Sequence, residues 1–462
     1  MTEQTNTLRR SLSLRSVVIF GLCFISPFGI FSLFGFSILD SNGYLATAYI
    51  VATVAVILTA ISYGKMARVF PSTGSSYSYA RHSIGPSAGF LTGWTTLLDY
   101  FLLPLLCVSL AANYVKGEIL PDVPIGLIVL LFAVLITVVN ALGVKVTTSF
   151  SALLFIFQIV IVAIFIILCA ILVVKNEGPS GLVSSRPFWG EDFKVSSIVI
   201  AAALICNTFL GFDAVTTMSE ETVDPRRNIP RALVLVGLAA GALFTVVAYF
   251  AFVANPVIAY DNPATAPVDV SRIIGGALFG SLFLAGCVIS SLASAVVTQA
   301  SASRLLYAMG RDNVLPKRIF GGLNQRRAPI IPIVILGVVS VLAAVIQIDA
   351  IASVVNFGAF TAFSVVHVSV FMHYFVRGRR RTPRDVFSFV MMPLLGLLVV
   401  VGLWTQLSID ANVLGLSWVG LGVVYLLFLT RGFRVPVPAM STVEQAQATD
   451  AEVTAVDRAV TR

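Results

Sequence analysis

Asp99 and Asp213 are the only two carboxylates set deep in long apolar stretches of this 462-residue chain. A charged side chain at the centre of a bilayer helix costs on the order of 2.5–3.5 kcal/mol, so it normally faces a cavity and meets a partner or a ligand there. Two carboxylates in one cavity suit a cation with two ammonium groups, and a carboxyl at membrane depth can load a proton on one side and release it on the other. Near both stand residues that interrupt helices. Ile25, Ser26, Pro27, Phe28 and Gly29 run in sequence, and a proline inside a helix removes an N–H and clashes with the carbonyl four residues back. The stretch from Asn207 through Thr208, Phe209, Leu210, Gly211 and Phe212 to Asp213 puts an amide, a glycine and a carboxylate in the middle of another apolar run.

Unwound backbone at membrane depth is tolerated only where it lines a cavity or meets a ligand. Half-helix C-termini before each break offer carbonyls to a cation, and the N-termini after it offer amides to an anion. The expected substrate-binding set is Ser26, Pro27, Gly29, Ile30, Asp99, Asn207, Phe209, Gly211, Phe212 and Asp213. Asp99, Asp213, Glu220 and Glu221 are the expected proton-coupling or gating residues. Glu220 and Glu221, with Asp224, Arg226 and Arg227, fall at a cytoplasmic mouth, either as gating ion pairs or as a solvated loop. Ser290, Ser291 and Ser294 read equally as part of a sodium site or as small-residue helix packing. His367 and His373 carry side chains able to relay protons, but His373 sits near a span end and nothing places His367 in the cavity, so structural roles are expected for both.

Other motifs carry no chemistry. Gly85, Pro86, Ser87, Ala88 and Gly89 match a hydrolase nucleophile elbow, but no strand precedes them and only His82, on the same loop, is near in sequence. No metalloprotease or phosphate-loop motif occurs, so neither an enzyme nor ATP-driven transport is expected, and no cofactor or metal. Cys23, Cys107, Cys169, Cys206 and Cys287 are scattered one per span and read as apolar packing residues. Gly237 and Gly241 form a small-xxx-small pair that predicts close helix packing.

The elements that must position these residues are membrane helices. Hydrophobic residues make up 58% and charged residues 11% of the chain, where a soluble domain has about 45–50% and 25%. The apolar residues fall into uncharged runs of roughly 17–31, long enough to cross the hydrocarbon core. Twelve spans are expected, at 17–39, 44–63, 89–112, 125–142, 146–174, 195–219, 232–253, 273–303, 330–347, 350–375, 386–407 and 413–429. The runs do not alternate as barrel strands do, so the class is all-α and polytopic. With a cytoplasmic N-terminus, only Lys116, Lys175, Arg186, Lys194 and Arg272 of the 30 Lys and Arg lie outside, which satisfies the positive-inside rule with both termini cytoplasmic. The net charge of +8 is explained by this topology rather than by nucleic acid. The first apolar run is too long for a signal-peptide core.

The two irregular spans, first and sixth, hold matching positions in two blocks of five. Interrupted helices at corresponding places in two halves point to a transporter's binding site between inverted repeats. The expected organisation is a cytoplasmic N-terminus (1–16), a first repeat (17–174), a second repeat (195–376), two appended helices (386–429) and a disordered cytoplasmic tail (435–462).

Four stretches resemble the amino acid–polyamine–organocation permease family, whose members share a ten-helix inverted-repeat core of the LeuT type plus two further helices. They are Phe70, Pro71, Ser72, Thr73, Gly74, Ser75, Ser76 and Tyr77; Gly143, Val144 and Lys145; Gly211, Phe212 and Asp213 with Glu220, Glu221 and the run from Pro225 to Pro230; and Arg304 with Ala308, Met309, Gly310, Arg311, Asp312 and Pro316. Leu97, Leu98, Asp99, Tyr100, Leu103 and Pro104, with Phe212, Asp213, Ala214, Thr216 and Thr217, are most similar to the putrescine-importer branch. Relatives often carry glycine-rich residues at the first break, where this chain has Pro27 and Phe28, and many have an aromatic gate where Asn207 stands, which leaves Phe209 or Phe212 to cover a substrate. Where some proton-coupled relatives use a lysine in the fifth helix, this chain has Gln158.

The resemblance and the two breaks together imply a secondary carrier in the inner membrane that imports a cationic amine such as putrescine, or an amino acid, with protons, by alternating access. An exchanger or exporter on the same fold, and a sodium-coupled amino acid symporter, are the alternatives. A receptor is disfavoured, since no soluble output domain is present. The bilayer is the one large partner expected, and no oligomeric state can be read.

Overall fold

The computed structural model describes residues 12–71, 75–142, 147–219, 222–311, 314–322 and 329–437. Glu220 and Glu221, the Gly143 to Lys145 motif, Ser72 to Gly74, Asp312 and the tail beyond residue 437 lie outside the described residues. Among them the chain is all-α: α1 (Leu14–Ile25), α2 (Gly29–Ser32), α3 (Phe34–Asp40), α4 (Leu45–Val69), α5 (Ser75–Ser83), α6 (Pro86–Glu118), α7 (Ile125–Leu142), α8 (Thr147–Glu177), α9 (Val195–Ile205), α10 (Pro225–Ala254), α11 (Ala266–Arg311), α12 (Lys317–Phe320), α13 (Ile330–Ser340), α14 (Ile348–Val370), α15 (Pro383–Val386), α16 (Met392–Trp404) and α17 (Ile409–Leu429). Eleven helical segments among the described residues are long and apolar enough to cross a membrane, and Ile330–Ala344 is a shorter apolar helix in the place of the ninth expected span.

The helices extend beyond the apolar runs. α4 continues past Tyr63 to Val69, and α11 begins at Ala266 rather than near 273. These ends carry Lys65, Arg68, Asp269 and Arg272, so the uncharged runs stop short of them although the backbone bonds continue. Within α11, Gly276 (φ 70°) departs from helical geometry, and α14 runs into a π-helical turn over Phe371–Arg377.

Both expected breaks are present. α1 opens on Ser13, whose side chain accepts from the Ser16 N–H at 3.3 Å, and stops at Ile25 because Ser26 turns to φ 63° ahead of Pro27. The sixth segment leaves the α-helix at Ile205, runs through 3-10 turns over Cys206–Phe209 and Phe212–Met218, and reverses at Gly211 with φ 99°. The two breaks interlock. A Cβ on Gly29 would lie 3.4 Å from the Thr208 carbonyl oxygen, and one on Gly211 would run into the Phe24 ring.

Hydrocarbon is as apolar as leucine, so burial supplies little drive between membrane helices, and close packing of small residues decides the contacts. α4 meets α10 that way: Gly241 abuts Thr53, and a Cβ on Gly237 would stand 3.4 Å from Val56, the close packing the small-xxx-small pair predicts. α17 is bound to α6 by reciprocal bonds, Trp94 Nε1 to the Trp418 carbonyl and Trp418 Nε1 to the Trp94 carbonyl, both 2.9 Å, with the indoles stacked 5.0 Å apart. Leu131, Leu278, Val424 and Phe428 are 64–86% exposed and form part of the lipid-facing surface. All five cysteines are free.

Candidate functional site

The breaks open onto a central chamber of about 750 Å³ of empty space, its mouth included, walled by the first and sixth segments, α6 and α11. Of the expected residues, Ser26, Gly29, Asn207, Ser290 and Ser291 line it, joined by Ser294 and Thr298. The structure does not bring Pro27, Ile30, Phe209, Gly211 or Phe212 to its wall. Pro27 and Gly211 set the bends instead.

Ser26 is the hub of the chamber's polar side. Its hydroxyl donates to Gln158 Oε1 on α8 at 2.7 Å and stands 3.3 Å from Ser290 Oγ on α11. The first break is thus tied to two helices 132 and 264 residues away in sequence. Of the eighth-span serines, Ser290 joins this bridge. Removing the Ser26 hydroxyl strands a buried acceptor, a loss of about 1–2 kcal/mol. Ser26→Ala and Gln158→Leu are each expected to lower transport efficiency about 5–30-fold, at 1.4 kcal/mol per tenfold. In the double variant the losses should not add, because both remove the same bond; additive losses in an uptake assay would show that the bond is not the cause.

The carbonyls before the second break are not left to a ligand as expected. Asn356 on α14 donates to the Ala203 and Leu204 carbonyls at 2.9 and 3.1 Å, and Thr208 Oγ1 to that of Ile205 at 2.7 Å. This occupies the orphan carbonyls of a helix end, so the end of α1 is the carbonyl surface at the chamber. Asn356 is fully buried, and its one signal in the sequence is an amide inside an apolar run. Asn207 Nδ2 is buried without a hydrogen-bond partner among the described residues, which leaves this amide to a ligand.

Phenylalanines close one side, but not those expected. Phe209 packs against Tyr49 and Phe244, and Phe212 against Tyr63 and Phe363. Phe28 and Phe31 line the chamber instead, each ring against Phe283, 5.5 and 4.7 Å between centroids. Tyr114 donates to the Phe31 carbonyl at 3.1 Å and holds that turn in place.

Asp99 and Asp213 are not in the chamber wall. Asp99 stands one turn beyond it, since Leu103, four residues later on the same face of α6, lines it, and Asp213 follows Leu210, another lining residue, across the bend at Gly211. The two carboxylates are close enough to act on each other's charge, and both act on Tyr100; Tyr63 and Tyr79 stand beside Asp213. Asp213 is held by backbone N–H groups of its own turn, at Gly211, Asp213 and Ala214. Asp99 differs: its Oδ1 is buried with no partner among the described residues. Gly358 lets α14 close over it, its would-be Cβ 3.3 Å from the Asp99 Cβ. Two buried carboxyls within electrostatic reach of each other and of Tyr63, Tyr79 and Tyr100 suit a cation or a proton.

His367 has both ring nitrogens occupied by α4, Nδ1 with Ser62 Oγ at 2.9 Å and Nε2 with Thr59 Oγ1 at 3.3 Å, as a structural residue would. His373 packs edge-on against Phe70. Among the described residues no group of His, Cys, Asp and Glu is arranged to hold a metal.

The amino acid permease family model matches residues 17–441. The chain is 36% identical over 434 residues to the low-affinity putrescine importer PlaP of Escherichia coli (strain K12), covering 93% of this chain and 96% of that one. It is 26% identical to the branched-chain amino acid permease BcaP of Bacillus subtilis (strain 168), over 80% and 82% of the two chains. To the methylthioribose transporter of the same organism it is 26% identical, over 92% and 95%. With a family match over most of its length and a helical bundle of membrane-spanning size, the chain belongs to the amino acid permease family and is a multi-pass secondary transporter, not an enzyme.

Proposed function

We propose that this transporter imports a small cationic amine, with putrescine-like diamines first and amino acids second, across the cytoplasmic membrane with both termini inside. The observation that carries this reading is the pair Asp99 and Asp213, within electrostatic reach of each other and close to two broken helices in a chain otherwise poor in charge. Supporting it are the identity to a putrescine importer and a first break that carries Pro27 and Phe28 in place of an amide nest for a carboxylate. Residues 17–174 and 195–376 act as inverted repeats that rock about the breaks.

In this reading one ammonium group rests near the Ser26 hydroxyl oxygen and the carbonyl end of α1, and the acidic pair draws the second inward. Coupling is to protons: Asp99, with one oxygen left unpartnered, loads and releases the proton, while Asp213 stays fixed by its backbone bonds. Ser290 and Ser291 support sodium coupling as the second reading, since both line the chamber.

Uptake of labelled putrescine into proteoliposomes under an inward proton gradient, with unlabelled amines and amino acids as competitors, tests the assignment. Gradient-stimulated uptake blocked by diamines is expected. No putrescine uptake even with the gradient would remove the amine reading, and stimulation by sodium alone would favour the second coupling. Counterflow into vesicles preloaded with substrate separates import from exchange.

A further inference from the structure

We propose that the C-terminal end of α14 and the N-terminal end of α16, which α15 connects, form a binding site for the phosphate headgroup of an anionic phospholipid. The inference rests on the cytoplasmic placement of these ends given above, but not on the substrate. Two π-helical turns, Phe371–Arg377 and Phe387–Met391, meet there, and such turns are rare and frequent at functional sites. They are joined by Tyr374 and Phe389, whose rings stack 4.2 Å apart at 4°.

Basic groups are mounted on this aromatic platform. The Arg380 guanidinium lies 5.5 Å from the Tyr374 ring centre and 5.9 Å from that of Phe389, Lys65 Nζ 5.5 Å from Phe389, and Arg381 5.9 Å from Phe375. Arg377 is turned inward to the carbonyls of His82 and Ile84, at 2.6 and 3.2 Å. Arg379, Arg380, Arg381 and Arg384 are exposed, and none forms a salt bridge among the described residues. Asp385, the one acid in the stretch, accepts from Thr382 Oγ1 at 2.7 Å. The rings lie against the guanidinium groups of Arg380 and Arg381 without neutralising them, so their N–H edges stay free for the oxygens of a phosphate.

The neighbouring surface fits the rest of a lipid. Val376, Phe387 and Met391 are 46%, 63% and 54% exposed, and Leu394, Leu395 and Leu398 continue the apolar face along α16. Acyl chains lying there would place a headgroup level with the arginines. Topology needs only the number of basic residues near a span end; it does not require them to be stacked on rings. Each basic residue near an anionic surface contributes about 1 kcal/mol, so removing three should weaken lipid retention tenfold or more.

The test uses the purified full-length transporter in mild detergent. Phosphatidylglycerol, phosphatidylcholine or glycerol phosphate is added at equal phosphate, and retained lipid is counted by mass spectrometry of the intact complex beside the thermal unfolding midpoint. The unaltered protein should retain phosphatidylglycerol at least about tenfold over phosphatidylcholine and be stabilised by it alone. R379A/R380A/R381A should lose that preference, and the milder R380Q should show a partial loss. Equal retention of the two lipids, stabilisation by glycerol phosphate alone, or an undiminished preference in either variant would overturn the proposal. None of these outcomes depends on whether putrescine is transported.

Discussion

Asp99→Asn is expected to lower proton-gradient-driven uptake at least about 30-fold while downhill exchange of preloaded substrate continues. Asp213→Asn is expected to lose both. For Asp99 the loss follows from removing the group that carries the proton, and for Asp213 from leaving backbone donors without their acceptor, where about 2 kcal/mol is already close to a factor of 30. The two residues differ in how they are held. Asp213 accepts from backbone amides of its own turn, and an asparagine there turns an N–H toward donors that need an acceptor, so the second break itself is disturbed. Asp99 Oδ1 has no partner among the described residues, so asparagine removes a titrating group without stranding a bond. Uptake and counterflow measured across pH on one preparation decide the matter. An Asp99→Asn protein with full uptake and an unchanged pH profile would take Asp99 out of the coupling, and the same result for Asp213→Asn would do so for that residue.

Gly211→Ala is expected to reduce uptake by about tenfold or more, and to do so through the backbone as well as through crowding. Residue 211 sits at φ 99°, and the added Cβ would enter the Phe24 ring. Holding a residue with a side chain in that region costs of order 1–3 kcal/mol, and the overpacking a comparable amount. Phe24→Leu should relieve the second part only, so the double variant should recover some uptake but not all of it. Gly402→Ala and Gly420→Ala, where a Cβ meets nothing within 4 Å, serve as controls with uptake near that of the unaltered protein. Full activity of Gly211→Ala would mean that the bend at the second break needs no glycine.

These two expectations also mark where the sequence was informative. The positions of the breaks were legible because their causes are local: Pro27 has no N–H to give to a helix, and Gly211 takes a backbone angle that other residues resist. The membrane class followed from the length of the apolar runs, and the two acids stood out because charge is costly at membrane depth. The assignment of Phe209 and Phe212 as covers for a substrate did not carry over. Their neighbours in sequence do not reveal that they face Tyr49, Phe244, Tyr63 and Phe363.

By itself, then, the sequence determined an all-helical membrane carrier, its two interrupted spans and the carboxylates beside them, all properties set by one run of chain against the bilayer. Tertiary structure alone decided which polar groups meet. It joined Ser26 to Gln158 and Ser290, turned Asn356 onto the end of α9, put Phe28 and Phe31 rather than Phe209 and Phe212 at the chamber, and left Asp99 and Asp213 outside its wall. The physical reason is that lipid and protein interior are equally apolar. A membrane helix therefore carries little amphipathic signal to show which face turns inward, and only the packing of small and polar residues against distant helices fixes it.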